Sequence, residues 1–193
     1  MIAVLPRHEK NAFQMTSSLQ SLMNALLLAL GIVLMTTVLM RAMGREWGDL
    51  RVWTGASTPH TSQGLLDPYT FTHVLHGIIL YYCLGAVEAR RGVKWSWTTK
   101  LALATTIEAA WELVENTDTV INKYRQQTAS LGYTGDSVIN SKVDQLAMIA
   151  GFYFAHYVPG WVSLAAVLVT EVALLIAVRD NLTLNVVQLL APS

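Results

Sequence analysis

The sequence predicts an all-α, polytopic membrane bundle of about five helices forming a single domain, and three observations carry that reading. Hydrophobic residues make up 53% of the 193-residue chain and charged residues only 13%, with a mean hydropathy of +0.40, which leaves too little polar surface for an ordinary soluble domain. Apolar runs long enough to cross a hydrocarbon core of about 30 Å recur along the chain. Helix-start and turn signals separate those runs: Asp67-Pro68, Gly135-Asp136-Ser137 and Pro159-Gly160.

The first run covers about residues 19 to 40, after a polar segment with Arg7 and Lys10. It exceeds the roughly 7 to 15 residues of a signal-peptide core, so it reads as a retained anchor. The second covers 72 to 88; Asp67 as N-cap and Pro68 in the first turn start that helix ahead of its apolar run. The third covers 97 to 115, the fourth 143 to 157 behind its Gly135-Asp136-Ser137 opening, and the fifth 161 to 178 after a tight turn. No internal repeat, low-complexity tract or interdomain linker divides residues 1 to 193. Cys83, alone in "LYYCLG", excludes an intramolecular disulfide and reads as a small packing residue.

Thirteen basic residues balance thirteen acidic ones, so no global field points to nucleic acid, and the information lies in where each sign falls. Arg90, Arg91 and Lys94, with Lys100 just beyond, make the short second loop cytoplasmic, which puts the N-terminus inside and the C-terminus outside. Glu88 with Arg90 and Arg91 reads as a solvated charge cluster, Trp95, Trp97, Trp161 and Tyr157 as aromatic-belt anchors, and His156 as interfacial. In any orientation, the start of helix two, the end of three, the start of four and the end of five share one membrane face. That face receives "SQGLLDPYTFTHVLHG", "WELVENTDTVINKYR", "GYTGDSVINSKVD" and "RDNLTLN".

Within "TIEAAWELVENTD", Glu108, Glu112 and Glu115 are spaced i, i+4, i+7 and form one helical stripe that must face protein or water. At about 1.5 Å per residue Glu108 lies some 16 Å from Trp97, and Glu171 about 15 Å from Trp161, which sets two acids near the midplane. Neither has Lys or Arg at its depth, so protonation, a bound cation or a histidinium must neutralise them. His73 and His76, spaced i, i+3, share a face near the level of Glu112 and Asp144. Three readings stand for the pair: interfacial histidines bonded to backbone and water, a divalent zinc, iron or manganese site made by His73, His76, Glu112 and Asp144, or a proton relay. Asn140 and Asp144 lie one turn apart behind the capping Asp136 and Ser137, and Asp144 has a structural alternative in pairing with Lys142 or Arg125. No phosphate-binding glycine loop or nucleophile elbow is present.

The pieces "DPYTFTHVLHG", "EAAWELVEN", "SLGYTGDSVINS" and "RDNLTLNV" resemble, in order and separation, the bacterial multi-pass membrane proteins of uncharacterised protein family 0314 (domain of unknown function 2585), over roughly residues 60 to 192. The resemblance implies a polytopic inner-membrane protein of alphaproteobacterial type and brings no reaction, substrate or cofactor. Pro68 stands where the family pattern has Trp, and Lys142 where it has a small or apolar residue. A looser similarity to VanZ-like membrane proteins is one of analogy.

Three functions compete. A membrane enzyme would act on a lipid or lipid-linked substrate at the outer leaflet, with Glu108, Glu112 and Asp144 as catalytic acids and Arg125, Asp136, Asn140 and Arg179 binding substrate, the two arginines at phosphate head groups. A proton- or cation-coupled permeation element would use Glu108 and Glu171, and five helices are few for it unless it forms a homo-oligomer. A non-catalytic accessory protein would expose those acids to a membrane-protein partner.

Overall fold

The computed structural model describes residues 7–56, 58, 60–127 and 132–191, with side chains from Leu19 onward except those of Gln126 and Gln127; Arg7 and Lys10 therefore lie outside the described side chains. The described residues form seven α-helices: α1 (Arg7–Ala42), α2 (Thr70–Arg91), α3 (Trp97–Glu115), α4 (Asp118–Gln127), α5 (Val138–Tyr157), α6 (Gly160–Val178) and α7 (Leu182–Leu190). Three of them, α1 from Leu19, α2 and α6, are both long and apolar enough to cross a membrane. Five such helices were expected, and three meet both criteria. α3 and α5 match α6 in length, but the acids and amides of the motif face dilute their apolar character.

α2 and α5 form the central pair, with α3 against α5 and α1, while α6 lies outside against α2 and α5. Two glycines set the central crossing. A Cβ on Gly77 would meet the backbone of Met148, and one on Gly151 the backbone of Val74, so the helices touch main chain to main chain. In the half remote from the motif face, Leu84, Leu101, Ala104, Met148 and Phe152 close the interior as an apolar plug.

The caps follow local chemistry. Ser96 accepts from the Thr99 amide at the start of α3, and Ser137 from the Asn140 amide at the start of α5. Asp67 accepts from the amides of Tyr69 and Thr70 (2.7 and 3.1 Å) in a turn that precedes α2, so the expected N-cap is corrected: the helix begins at Thr70 behind Tyr69, which makes no side-chain cap bond, and Pro68 lies ahead of its first turn. The remaining leading amides of α5 are satisfied by the long α1–α2 loop: Ser137 N donates to Ser62 O, Val138 N to Glu46 O and Ile139 N to Trp47 O. That loop doubles back through a bridge between Trp53 and Leu66 and lies over the motif face.

Several expectations change in detail. Cys83 is exposed on α2 instead of packed inside the chain. Glu88 leaves its expected cluster to pair with Lys100 at 3.0 Å and to accept from the Trp95 amide. Trp95 and Trp97 pack partly on the apolar plug, whereas Trp161 and Tyr157 are exposed, as is His156.

Candidate functional site

α3 turns its acid stripe into the bundle: Glu108 is 1% exposed and Glu112 is fully buried. α2 brings His73 and His76 to meet it. His73 Nδ1 lies 2.5 Å from Glu108 Oε1, and His76 Nδ1 lies 3.1 and 3.2 Å from the two oxygens of the same carboxylate. One acid thus engages both imidazoles through the same ring nitrogen. Glu112 Oε1 is 3.5 Å from His73 Nδ1, and Asp144, from α5, has its Oδ2 3.9 Å from His73 Nε2. The imidazole rings sit edge to face, 4.9 Å apart, and Trp111 stands edge-on to His76.

Two sets of donor atoms fall within 4.8 Å of one another: His73, His76 and Glu108, and His73, Glu112 and Asp144. Both oxygens of Glu112 and Oδ1 of Asp144 are sealed from solvent without a hydrogen-bond partner, as are both side-chain polar atoms of Asn140 and of Gln145. No lysine or arginine forms an ion pair with these acids among the described residues; Lys142 lies over the Trp47 ring, 5.3 Å from its centroid, and Arg125 donates to Tyr133 O. The alternative partners anticipated for Asp144 are therefore engaged elsewhere.

Around this centre lies a cavity of about 180 Å³, lined among others by His73, His76, Trp111, Glu115, Asp136 and Asp144. Glu108 and Glu112 do not reach its wall; they sit behind the imidazoles. Asp136 is held by Asn116 Nδ2 at 2.8 Å and by the Tyr133 hydroxyl at 3.0 Å, and its own amide donates to Asn116 Oδ1. Burial pushes the Asp136 carboxyl up against these two bonds, and burial next to Asp136 and Glu115 raises the Tyr133 hydroxyl.

Of the remaining residues expected at the site, Arg125 is exposed and braces the segment before α5, and Arg179 lines a different groove beside α6. Glu171, expected unpaired at the midplane, accepts from the amides of Leu182 and Thr183 (3.0 and 3.1 Å) and from the Thr183 hydroxyl. It caps α7, a helix for which no apolar run gave warning.

The wall contributed by α7, namely Leu182, Asn185, Val186 and Leu189, was not anticipated; nor were Tyr69, Tyr124, Tyr133, Asn116 and Ser62. The signal for α7 was available in "NLTLNVVQLL", where Asn181 caps by accepting from the Leu184 amide and Leu182, Val186 and Leu189 follow i, i+4, i+7 spacing. Lys123, from α4, closes the other end of α7 by donating to Leu189 O and Ala191 O.

These features define the class: an all-helical protein with a buried imidazole–carboxylate centre beneath one end of its bundle. The chain belongs to the family described as "Protein of unknown function (DUF2585)", whose profile matches residues 37–193 and so reaches upstream of the motifs into the end of α1. Its relatives include the UPF0314 proteins of Rhizobium meliloti (45% identical over 172 residues, 86% of this chain and 85% of the relative), Agrobacterium fabrum (40% over 169, 85% and 83%) and Paracoccus denitrificans (43% over 155, 78% and 78%). No solved structure matches the chain.

Proposed function

We propose that the protein spans the bacterial inner membrane with α1, α2, α3, α5 and α6, and that His73, His76, Glu112 and Asp144 hold a divalent cation beside a cavity that takes a polar group of a lipid or lipid-linked substrate. The spanning of α3 and α5 is supported by the direction of their polar groups: Leu103, Ile107 and Val114 on α3 and Leu146 and Phe154 on α5 face outward, while the acids face inward. Hydropathy averaged around a helix misses that division.

The observation that carries the cation is the set of sealed, unpartnered oxygens on Glu112 and Asp144 within reach of an imidazole. Buried carboxylates with oxygens that lack a donor are strongly unfavourable; one imidazole, His73, lies within 4 Å of both acids, and a metal ion would supply the further charge that two carboxylates need. The mixed nitrogen and oxygen donors suit zinc, iron or manganese. Glu108, expected to be an acid–base group, is better suited to positioning, because it holds both imidazoles from behind. Among the acids of the centre, Asp144 also lines the cavity and is the one placed to exchange a proton with a molecule there.

Elemental analysis of purified wild type, His76→Ala and Glu112→Gln tests the centre. About one divalent ion per wild-type chain, reduced in both variants, is expected; wild type without metal overturns the cation. Untargeted lipid analysis of a deletion strain tests the substrate class, with accumulation of one lipid or lipid-linked species expected.

A proton relay is the second reading, favoured by the continuous link from His76 through Glu108 to His73. Carriage across the whole membrane fits less well, since the apolar plug of Leu84, Leu101, Met148 and Phe152 lies below the centre. The accessory reading calls for acids turned to the outside, and Glu108 is buried.

A further inference from the structure

We propose that the groove between α6, the start of α2 and the α1–α2 loop binds an anionic phospholipid, with its phosphate on Arg179 and one acyl chain along α6. The groove has a volume of about 690 Å³ and is separate from the imidazole cavity in its lining. Val169, Ala173 and Ala177 follow one another every four residues and make a straight apolar track about 12 Å long. Trp53 and Phe71, 6.5 Å apart between ring centroids, form the opposite wall. Both rings and Val169 are at least half exposed, so none of the described residues covers the track.

Arg179 stands at one end of it and lines the groove. It caps α6 in the left-handed conformation (φ 58°), where an L residue other than glycine or asparagine is uncommon. Neighbouring acids are committed elsewhere: Asp180 accepts from the Tyr69 hydroxyl and the Asn181 amide, and Glu171 caps α7. Arg179 forms no ion pair among the described residues. A phosphate here would otherwise face the carbonyl end of α6, so discrimination in favour of an anionic lipid rests on this one guanidinium. A single cation at the end of an apolar track matches a lipid with one net negative charge.

The inference depends on the membrane-spanning reading, and the experiment separates the two. Tryptophan fluorescence is measured for wild type, Trp53→Phe and Arg179→Gln in bilayers containing phosphatidylglycerol or phosphatidylcholine brominated near the headgroup end of one acyl chain. The contribution of Trp53, taken as wild type minus Trp53→Phe, is expected to be quenched about five-fold more effectively by the anionic lipid, and Arg179→Gln is expected to abolish the preference. Ala173→Leu, which fills the track without changing charge, should weaken quenching of Trp53 by both lipids.

Equal quenching by the two lipids in wild type, or a preference that survives Arg179→Gln, overturns the site. So does protection of Trp53 from both lipids, the result expected if a second copy covers the groove. Trp161, exposed at the far end of α6, reports on insertion itself. If the remaining tryptophans respond to neither lipid, the membrane-spanning reading fails; if they respond and Trp53 shows no anionic preference, the groove proposal alone fails.

Discussion

A carboxylate that engages two imidazoles through their Nδ1 atoms leaves both Nε2 atoms for other partners. Glu108 has that position toward His73 and His76, and Glu108→Gln removes its charge at nearly constant volume. Cation affinity in the variant, measured by competition with a chelator, is expected to fall about 10- to 100-fold, as for other carboxylates that orient metal-binding histidines; unchanged affinity removes the positioning role. Asp67 offers a test of a different kind. Burial raises its carboxyl above the usual 3.8, against the lowering effect of its bonds from Ser62 and the Tyr69 and Thr70 amides. The folded state therefore holds the proton more tightly than the unfolded state, so this stabilising contribution is complete below about pH 3.8 and is lost as pH rises through the raised value. Asp67→Asn keeps an oxygen for both amides and cannot ionise. Its melting temperature relative to wild type should climb as pH rises from about 4, and a pH-independent difference would refute the assignment.

Among elements, the α2–α5 pair is set by two glycines whose Cβ atoms would strike the facing backbone. Gly77→Ala and Gly151→Ala are each expected to destabilise the fold by about 1 to 3 kcal/mol or more, since main chain cannot give way as a side chain end can. Gly85→Ala, on α2 with open space around it, should be neutral or stabilising by up to about 1 kcal/mol through helix propensity. Unfolding in detergent compares the three. The elements themselves were unevenly legible. Apolar runs located α3 and α6 to within a residue, and the Ser137 cap revealed that α5 begins before its apolar run. α4 and α7 were invisible to hydropathy because each is short and amphipathic. The i, i+4, i+7 stripe gave the inward face of α3, but not that Glu108 would engage both histidines while Glu112 stayed unpartnered. That distinction depends on the register between α2 and α3, which periodicity within one helix does not encode. The same limit explains Arg179: it lies at the expected end of the bundle but on the outer side of α6, away from the imidazoles.

For the molecule as a whole, the basic residues Arg90, Arg91 and Lys94 lie at the end opposite the imidazole centre, which fixes the expected orientation. Reporter fusions after Lys94 should be active in the cytoplasm and those at the chain end in the periplasm; the reverse pattern turns the centre toward the cytoplasm. The contact of the α1–α2 loop with α5 bears on how such a protein is made. Chains emerge amino end first, so the carbonyls of Glu46, Trp47 and Ser62 exist well before the amides of Ser137, Val138 and Ile139 that they will accept. Bare amides are costly in an apolar medium, so with α5 spanning as proposed its amino end would have no lasting home in the bilayer until those carbonyls reach it. The loop thus acts as a receptor laid down early for a helix synthesised late. Its seating would be the event that locks Asp144 beside His73, so a nascent chain arrested before that step would carry its imidazoles but not yet the finished centre.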